Sequence, residues 1–484
     1  MKLSPVILWF RHDLRLQDNP ALSAAVARGG PIIPVFILDR AGEGSWPPGA
    51  AACWWLHHSL ASIDGGLRAH KSRLVLMRGD RLDALRTLVR ETAAGAVYWN
   101  RRPEPMATAH DQRVAADLAA DGIEVKTFGG ALLFEPQAVA NQAGHPFRVF
   151  TPFWRHCRAL PVEAPKRWRA RDLPAPARWP RSLTLDGLKL LPAVRWDAGL
   201  TRTWQPGEKG AQARLRRFTA GELDTYAEGR NRPDREGTSR LSPHLHFGEI
   251  SPRQVWAAVR RQEKKSPSLP PGRAVQAFLG EIGWREFAGH LIHHFPATPR
   301  EPLRAEFTWF PWRKNAAALR AWQRGCTGFP IVDAGMRQLR HTGWMHNRVR
   351  MIVASFLVKD LLIPWQEGAK WFWDTLVDAD LANNTLGWQW TTGCGADAAP
   401  YFRVFNPVLQ GKKFDPDGAY VRRWVPELAP LRANFIHAPW ETPPEVLARA
   451  GVELGTTYPR PIVDHRLARA EALAAYEQMK QLCG

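Results

Sequence analysis

The sequence predicts an α/β domain with a Rossmann-like parallel sheet, then a long connection, then a large all-α domain. Three patterns predict it. Short apolar, β-branched runs alternate with helical periods over 1–135, Pro, Arg and Trp crowd 136–206, and helical periods dominate 207–484. A chain of 484 residues, 45% of them hydrophobic, is long enough for two or three domains with sizeable cores.

The first domain follows from five runs, 6–10 (VILWF), 32–38 (IIPVFIL), 73–77 (RLVLM), 96–99 (AVYW) and 123–128 (IEVKTF), which read as buried strands. Between them Trp54 to Arg68, Arg81 to Ala93 and Ala107 to Ala120 carry helical periodicity, the alternation expected of a doubly wound sheet. No G-x-G-x-x-G follows the first run, so the standard dinucleotide fingerprint is absent. The connection (136–206) is rich in helix breakers, as in LPVEAPKRWRARDLPAPARWPRS. Beyond it, Ser251-Pro252 signals a helix start, and Pro296 and Pro364 signal stops.

Composition narrows the function. The N-terminal MKLSPVILWFRHD has too short an apolar run for a signal peptide or a membrane span, and no later stretch is long enough, so a cytosolic location without membrane association is expected. Cys53, Cys157, Cys326, Cys394 and Cys483 are scattered without a C-x-x-C pair, which suggests neither a disulfide framework nor a metal site. A formal charge of +20 points to a polyanionic partner, and its spread through the chain as arginine favours a folded nucleic-acid surface. The 23 tryptophans allow aromatic packing, base stacking or redox chemistry.

Three stretches of the helical domain carry chemistry. In GTSRLSPHLHFGEISP, Thr238, Ser239, Arg240 and Ser242 bring hydroxyls, a guanidinium and turn amides together, which suits a diphosphate near a helix start; the alternative is an ordinary capped helix entry. In FLGEIGWREF, Glu281, Trp284 and Arg285 stand at i, i+3 and i+4 on one helical face, as a surface ion pair or one wall of a pocket. In GWMHNRVRMIVASF, a helix beginning at Trp344 puts Trp344, Asn347 and Met351 at i, i+3 and i+7 with Arg350 beside them. Val349, Ile352, Val353 and Phe356 then face a core. Such a mixture of indole, amide, thioether and guanidinium predicts a ligand pocket, because buried polar groups need partners.

Taken together, WFRHDLRLQDNPAL, EGTSRLSPHLHFGEISP, GWREF, TGFPIVDAGMRQLRHTGWMHNRVRM, DADLANNTLGWQW and DAAPYFRVFNP resemble the photolyase and cryptochrome family over nearly the whole chain. The resemblance implies an antenna-binding α/β domain and a helical domain holding FAD, with repair of ultraviolet pyrimidine dimers or blue-light sensing as the activity. Asn347 and Met351 match the pattern of cyclobutane-dimer photolyases, where (6-4) photolyases carry histidines. Asn384 matches the amide that repair enzymes place at flavin N5, where plant cryptochromes have an aspartate.

The same resemblance assigns further roles. Tyr226, Thr238, Ser239, Arg240, Leu241 and Ser242 line the flavin's phosphates and ribityl chain, with Phe278, Glu281, Arg285, Trp344, Asn347, Asp378, Asp380 and Asn384 around the rest. Arg350 pairs with Asp378 over the isoalloxazine. Glu281 hydrogen-bonds the dimer carbonyls, Trp284 and Trp390 stack on the flipped bases, and Trp388, Trp365 and Trp312 form the chain that reduces the flavin. Arg230, Arg232, Arg348 and Arg403 are the candidate phosphate contacts.

Phe278 departs from the pattern, standing where many class I enzymes have a tryptophan. HLHFGEISP and NNTLGWQW look more like class III cyclobutane photolyases and their plant-cryptochrome relatives, which makes 5,10-methenyltetrahydrofolate the expected antenna. Trp54, Trp55 and Glu104 are candidates to touch it, with ordinary packing or surface roles as the competing reading. The expected partner is DNA carrying cyclobutane pyrimidine dimers, and the family expectation is a monomer. Competing functions are a blue-light photoreceptor without repair activity and a non-catalytic nucleic-acid-binding module without flavin.

Overall fold

The computed structural model describes residues 3–168, 173–263, 272–398 and 402–483. The connection's residues 169–172 and the 399–401 part of DAAPYFRVFNP lie outside them, as does the side chain of Cys483.

The five apolar runs form one parallel sheet: β1 Val6–Phe10, β2 Ile32–Leu38, β3 Val75–Arg78, β4 Ala96–Asn100 and β5 Glu124–Phe128, in the order β3-β2-β1-β4-β5. Helices α1 (Pro20–Arg28), α2 (Ala50–Arg68), α3 (Arg81–Thr92) and α4 (Pro105–Ala120) make the crossovers. Every residue of β1, β2 and β4 is buried, as expected of strands covered on both faces, and Ile7, Trp9, Val35, Val97 and Trp99 share a core with Leu85, Leu88, Val114 and Leu118. Pro34 is tolerated inside β2 because β3 pairing begins only at Val35. Edge strand β5 exposes Glu124 and Lys126, charges that discourage further strand addition.

WFRHDLRLQDNPAL folds as a connector. Asn19 caps α1 by accepting the Leu22 N–H (3.1 Å), Asp13 Oδ1 accepts the Arg11 N–H (2.6 Å), and Asn100 donates to both Asp13 Oδ2 (2.6 Å) and Asn19 Oδ1 (2.8 Å). This motif is therefore spent on joining β1, α1 and β4.

The connection contains a helix that its prolines hid, α5 (Phe150–Ala159), in which Pro152 stands within the first turn, where no backbone hydrogen bond is lost. The chain divides into two compact units, one comprising Met1–Gly221, Ser239–Pro296 and Val377–Ala382, the other Glu222–Thr238, Ala297–Leu376 and Asn383–Gly484. This grouping differs from the sequence division at 135 and 207, since α5 and the helices Pro252–Glu263 and Arg273–His294 fall with the sheet. Within the second unit, the Pro330–Thr342 and Asn347–Ser355 helices approach at Gly335, where a Cβ would lie 2.5 Å from Val349 Cγ1. Among the described residues no helix is long and apolar enough to cross a membrane.

Candidate active site

In the first unit, the Arg273–His294 helix carries Phe278, Glu281, Trp284 and Arg285. Phe278 is 3% exposed and packs on Phe218 at 4.5 Å, so the position that departs from the family pattern is filled by a core aromatic pair. Glu281, Trp284 and Arg285 are all half-buried, which fits a pocket wall better than a solvated pair. Arg285 donates to the Ala131 carbonyl (2.8 Å) and lies 3.5 Å from Glu286. Trp284 stacks on Phe150 with centroids 3.8 Å apart and planes 7° from parallel.

Glu286 is a residue the sequence reading missed. Its Oε2 accepts the N–H groups of Leu133 (2.7 Å) and Phe134 (3.2 Å), fastening the segment that follows β5 to the helix. Burial pushes its carboxyl up to about 7, against the opposing pull of Arg285 and those two N–H groups.

Ser239, Arg240, Leu241 and Ser242 belong to the same unit. Arg240 has φ 51°, the left-handed region that a non-glycine residue adopts only when its surroundings fix it, and Ser239 Oγ accepts the Leu241 N–H (3.4 Å). Ser242 opens the short Ser242–His246 helix and is exposed, whereas Leu241 is buried. His244 is locked to Glu249, whose Oε1 also accepts the Trp55 indole N–H (2.9 Å) and the Gly207 N–H (2.6 Å). Asp378 is 8% exposed, and its carbonyl accepts the Asp380 N–H (2.8 Å). Asp380 Oδ2 lies 3.6 Å from His246 Nδ1, a pairing with HLHFGEISP that its sequence does not announce.

The carboxyl ends of the strands hold a second polar cluster, at the β1/β4 position where strand order reverses and such sheets bind ligands. Arg102 meets Glu43 (2.9 Å) and Glu104 (3.3 Å), Arg81 meets Asp39 (3.2 Å) and Glu43 (2.6 Å), and Arg11 meets Asp111 (2.5 Å). His12 sits among them with its pKa well below the ordinary value, first through burial and then through Arg102, so its imidazole is neutral. Trp54 and Trp55 are core residues, 1% and 0% exposed, with Trp54 Nε1 donating to Asp197 (3.1 Å). Glu104 is buried and paired rather than on the surface.

In the second unit, the helix read from Trp344 begins instead at Asn347, with His346 as its cap through Nδ1. Gly343, at φ 64°, ends the preceding helix, and Thr342 Oγ1 holds Trp344 outside either one by accepting its N–H (3.3 Å) and donating to its carbonyl (3.0 Å). Trp344 therefore does not share the helical face with Asn347 and Met351, although it is buried at 7% exposure. Asn347 and Met351 keep their i, i+4 relation, exposed and half-buried respectively, while Val349, Ile352, Val353 and Phe356 are buried as expected.

Arg350 donates Nε to the Met345 carbonyl (2.8 Å). Arg348 donates to Asn231 Oδ1 (2.7 Å), lies 3.5 Å from Met351 Sδ and covers the Phe414 ring at 4.6 Å. Arg230 lies 5.6 Å from the centroid of the buried Tyr226 ring, and exposed Arg403 lies 5.0 Å from that of Phe405. Arg232 is committed to a two-bond pair with Asp234 (2.8 Å each), which weakens its candidacy as a phosphate contact. Upstream of Thr238, Gly237 crosses Gly229 so closely that a Cβ on it would lie 2.6 Å from the Gly229 carbonyl oxygen.

Asn384 donates Nδ2 to the Ala369 carbonyl (3.1 Å), which orients its amide. Trp388 and Trp365 are each 2% exposed. Trp388 is held edge-on by Phe372 (5.0 Å) and Trp322 (6.2 Å), and its ring lies over Gly368, three residues along the helix from Trp365. The half-buried Trp312 packs on Phe310 at 4.3 Å, and the next residue donates its N–H to Leu362 (2.7 Å), just before Trp365. Trp390 is half-buried.

A doubly wound sheet joined in one chain to a helical body is the class of architecture in which nucleotide-type cofactors are held. Residues 6–176 match the family described as DNA photolyase, and residues 278–478 match the FAD binding domain of DNA photolyase. The chain belongs to the photolyase and cryptochrome family. It is 50% identical to a deoxyribodipyrimidine photo-lyase of Agrobacterium fabrum over 99% of both chains. It is 41% identical to cryptochrome-1 of Arabidopsis thaliana, over 98% of this chain and 70% of that one. The crystal structure of a bacterial class III photolyase from Agrobacterium tumefaciens superposes with a TM-score of 0.95 at 51% identity, covering 99% of this chain and 98% of that one.

Proposed function

We propose that this chain is a light-driven deoxyribodipyrimidine photo-lyase, which splits cyclobutane pyrimidine dimers in ultraviolet-damaged DNA. The observation that carries the reading is the Asn384 amide, oriented by donating Nδ2 to the Ala369 carbonyl, with Oδ1 as its acceptor atom. An acceptor suits the N5–H of fully reduced FAD, whereas a carboxyl at that position would deliver a proton and favour a sensing cycle. When bound, reduced FAD excited by light would lend the dimer an electron that opens the cyclobutane ring and returns to the flavin once the two pyrimidines have separated.

The chain's own residues bind, orient and insulate. Tyr226, Thr238, Ser239, Arg240, Leu241 and Ser242 hold the diphosphate and ribityl portions, and Arg350 with Asp378 balances charge at the ring. Trp284 and Trp390 receive the extruded bases, a step photolyases share with other enzymes that act on a base. Asn347 and Met351 contact the lesion, Glu281 hydrogen-bonds the dimer carbonyls, and Arg230, Arg348 and Arg403 contact phosphates. Trp312, Trp365 and Trp388 carry an electron inward. Trp388 Nε1 is buried with no hydrogen-bond acceptor among the described residues.

The antenna is 5,10-methenyltetrahydrofolate in this reading, on the class III likeness of HLHFGEISP and NNTLGWQW. Functional boundaries at 135 and 207, a monomeric state and a cytosolic location belong to the same proposal. The test is incubation of the reduced protein with irradiated DNA under blue light and in the dark. Light-dependent loss of dimers is expected. A flavin spectrum without such loss leaves the photoreceptor, and a protein without flavin leaves the nucleic-acid-binding module.

A further inference from the structure

We propose that α5 belongs to the lesion-binding apparatus, with Phe150 as a positioning residue that backs one face of Trp284 so that the extruded bases stack on the other. This rests on the repair function proposed above, in which Trp284 receives those bases.

The geometry is specific. The Phe150 and Trp284 rings are 7° from parallel with centroids 3.8 Å apart, a face-to-face overlap where most aromatic pairs are edge-on or more widely offset. Phe150 is itself fixed, because α5 docks on the Arg273–His294 helix through residues at i, i+3 and i+4. Phe150 lies 5.9 Å from Phe287, and Phe153 lies 5.1 Å from Phe287 and 5.2 Å from His290. Trp154 lies against Gly283, where a Cβ would come within 2.6 Å of Trp154 Cδ2, so only glycine permits this approach one residue before Trp284. Phe150 and Trp154 are near-parallel at 6.4 Å, and Trp154 meets Trp256 edge-on at 6.1 Å.

Trp284 is thus the outer member of a fixed aromatic row, yet it stays half-buried rather than enclosed. With Phe150 on one face and Phe287 edge-on at 5.9 Å, the opposite face is the surface it offers. A base adding there completes a stack already ordered, so little side-chain freedom is lost on binding. A Trp284 without Phe150 would have to be immobilised by the base itself.

The test compares binding of the flavin-loaded protein to a single-stranded oligonucleotide with one cyclobutane dimer and to the same strand undamaged. Phe150→Ala is expected to weaken dimer binding about 3- to 10-fold while undamaged binding and the flavin spectrum hold. Phe150→Leu, which keeps volume but not the ring, shows the same loss, and Phe150→Tyr restores binding. In the Phe150→Ala background, adding Trp284→Ala costs less than it does alone, because the two rings act as a unit. The proposal is overturned if Phe150→Leu binds like Phe150→Tyr, if the Phe150 and Trp284 losses simply add, or if both strands weaken equally. Should Phe150→Ala lose flavin, the Leu and Tyr variants decide. A native protein with no preference for the dimer strand sinks the repair reading itself, whatever the variants do.

Discussion

Gly368 is the position at which a single methyl group should disturb Trp388, one of the tryptophans proposed to reduce the flavin. In the Trp365–Thr375 helix an alanine would ordinarily gain about 1 kcal/mol over glycine. Here its Cβ would lie 2.0 Å from Trp388 Cη2 and 2.5 Å from Cζ2 and Cζ3. The ring has little room to yield, because Phe372 and Trp322 grip it edge-on and Trp322 is itself tied to the Val353 carbonyl at 2.9 Å. Overpacking of this kind costs about 1–3 kcal/mol and shifts the ring that must give. Gly387, one residue before Trp388, has nothing within 4 Å of its added Cβ, so alanine there should stabilise by about 1 kcal/mol. The two Gly→Ala changes therefore have opposite expected signs. The assay is the denaturant midpoint of each variant together with the rate of flavin photoreduction under blue light with an external thiol. Gly368→Ala should lower both, while Gly387→Ala should raise the midpoint and leave photoreduction intact. A Gly368→Ala protein as stable as Gly387→Ala and photoreducing at the native rate would refute the packing argument.

Three further outcomes are expected. Trp388→Phe should abolish photoreduction yet spare repair by chemically reduced protein; unchanged photoreduction would mean that another aromatic route carries the electron. Glu281→Ala should lower repair per absorbed photon with FAD content unchanged, and an unaltered quantum yield would remove the carboxylate from the chemistry. Glu286, pushed by burial from 4.5 to about 7, favours its protonated form when folded, so its stabilising contribution is full below about pH 4.5 and is lost as pH rises through about 7. At about 1.4 kcal/mol per pH unit this amounts to about 3 kcal/mol, and Glu286→Gln should flatten the melting-temperature profile across that window; a profile parallel to the native one would contradict this.

The sheet was legible because buried parallel strands write themselves as continuous apolar runs, and β1 and β2 begin and end where VILWF and IIPVFIL do. The Asn347 helix was legible only in part. Its core face of Val349, Ile352 and Val353 follows from spacing, but Trp344 was assigned to the wrong element. Helix periodicity continues smoothly through Gly343 to His346, whereas the chain stops one helix at a left-handed glycine and caps the next with a histidine, outside the usual capping residues. Helix α5 was hidden for the opposite reason, since it lies in a connection read as rich in breakers although Pro152 falls where a helix tolerates it. Nothing local announces the contacts that Glu286, His246 and Phe150 make. Each acquires its role from a partner far away in sequence, Leu133, Asp380 and Trp284 respectively, which no periodicity can announce.

The most direct test of light-driven repair by a reduced flavin is the wavelength dependence of dimer loss, measured with chemically reduced protein and an oligonucleotide carrying a single dimer. Dimer loss per incident photon should follow the absorption of the bound reduced flavin, with any antenna band added, and should vanish in the dark. Loss in the dark, or none at any wavelength the protein absorbs, would contradict it.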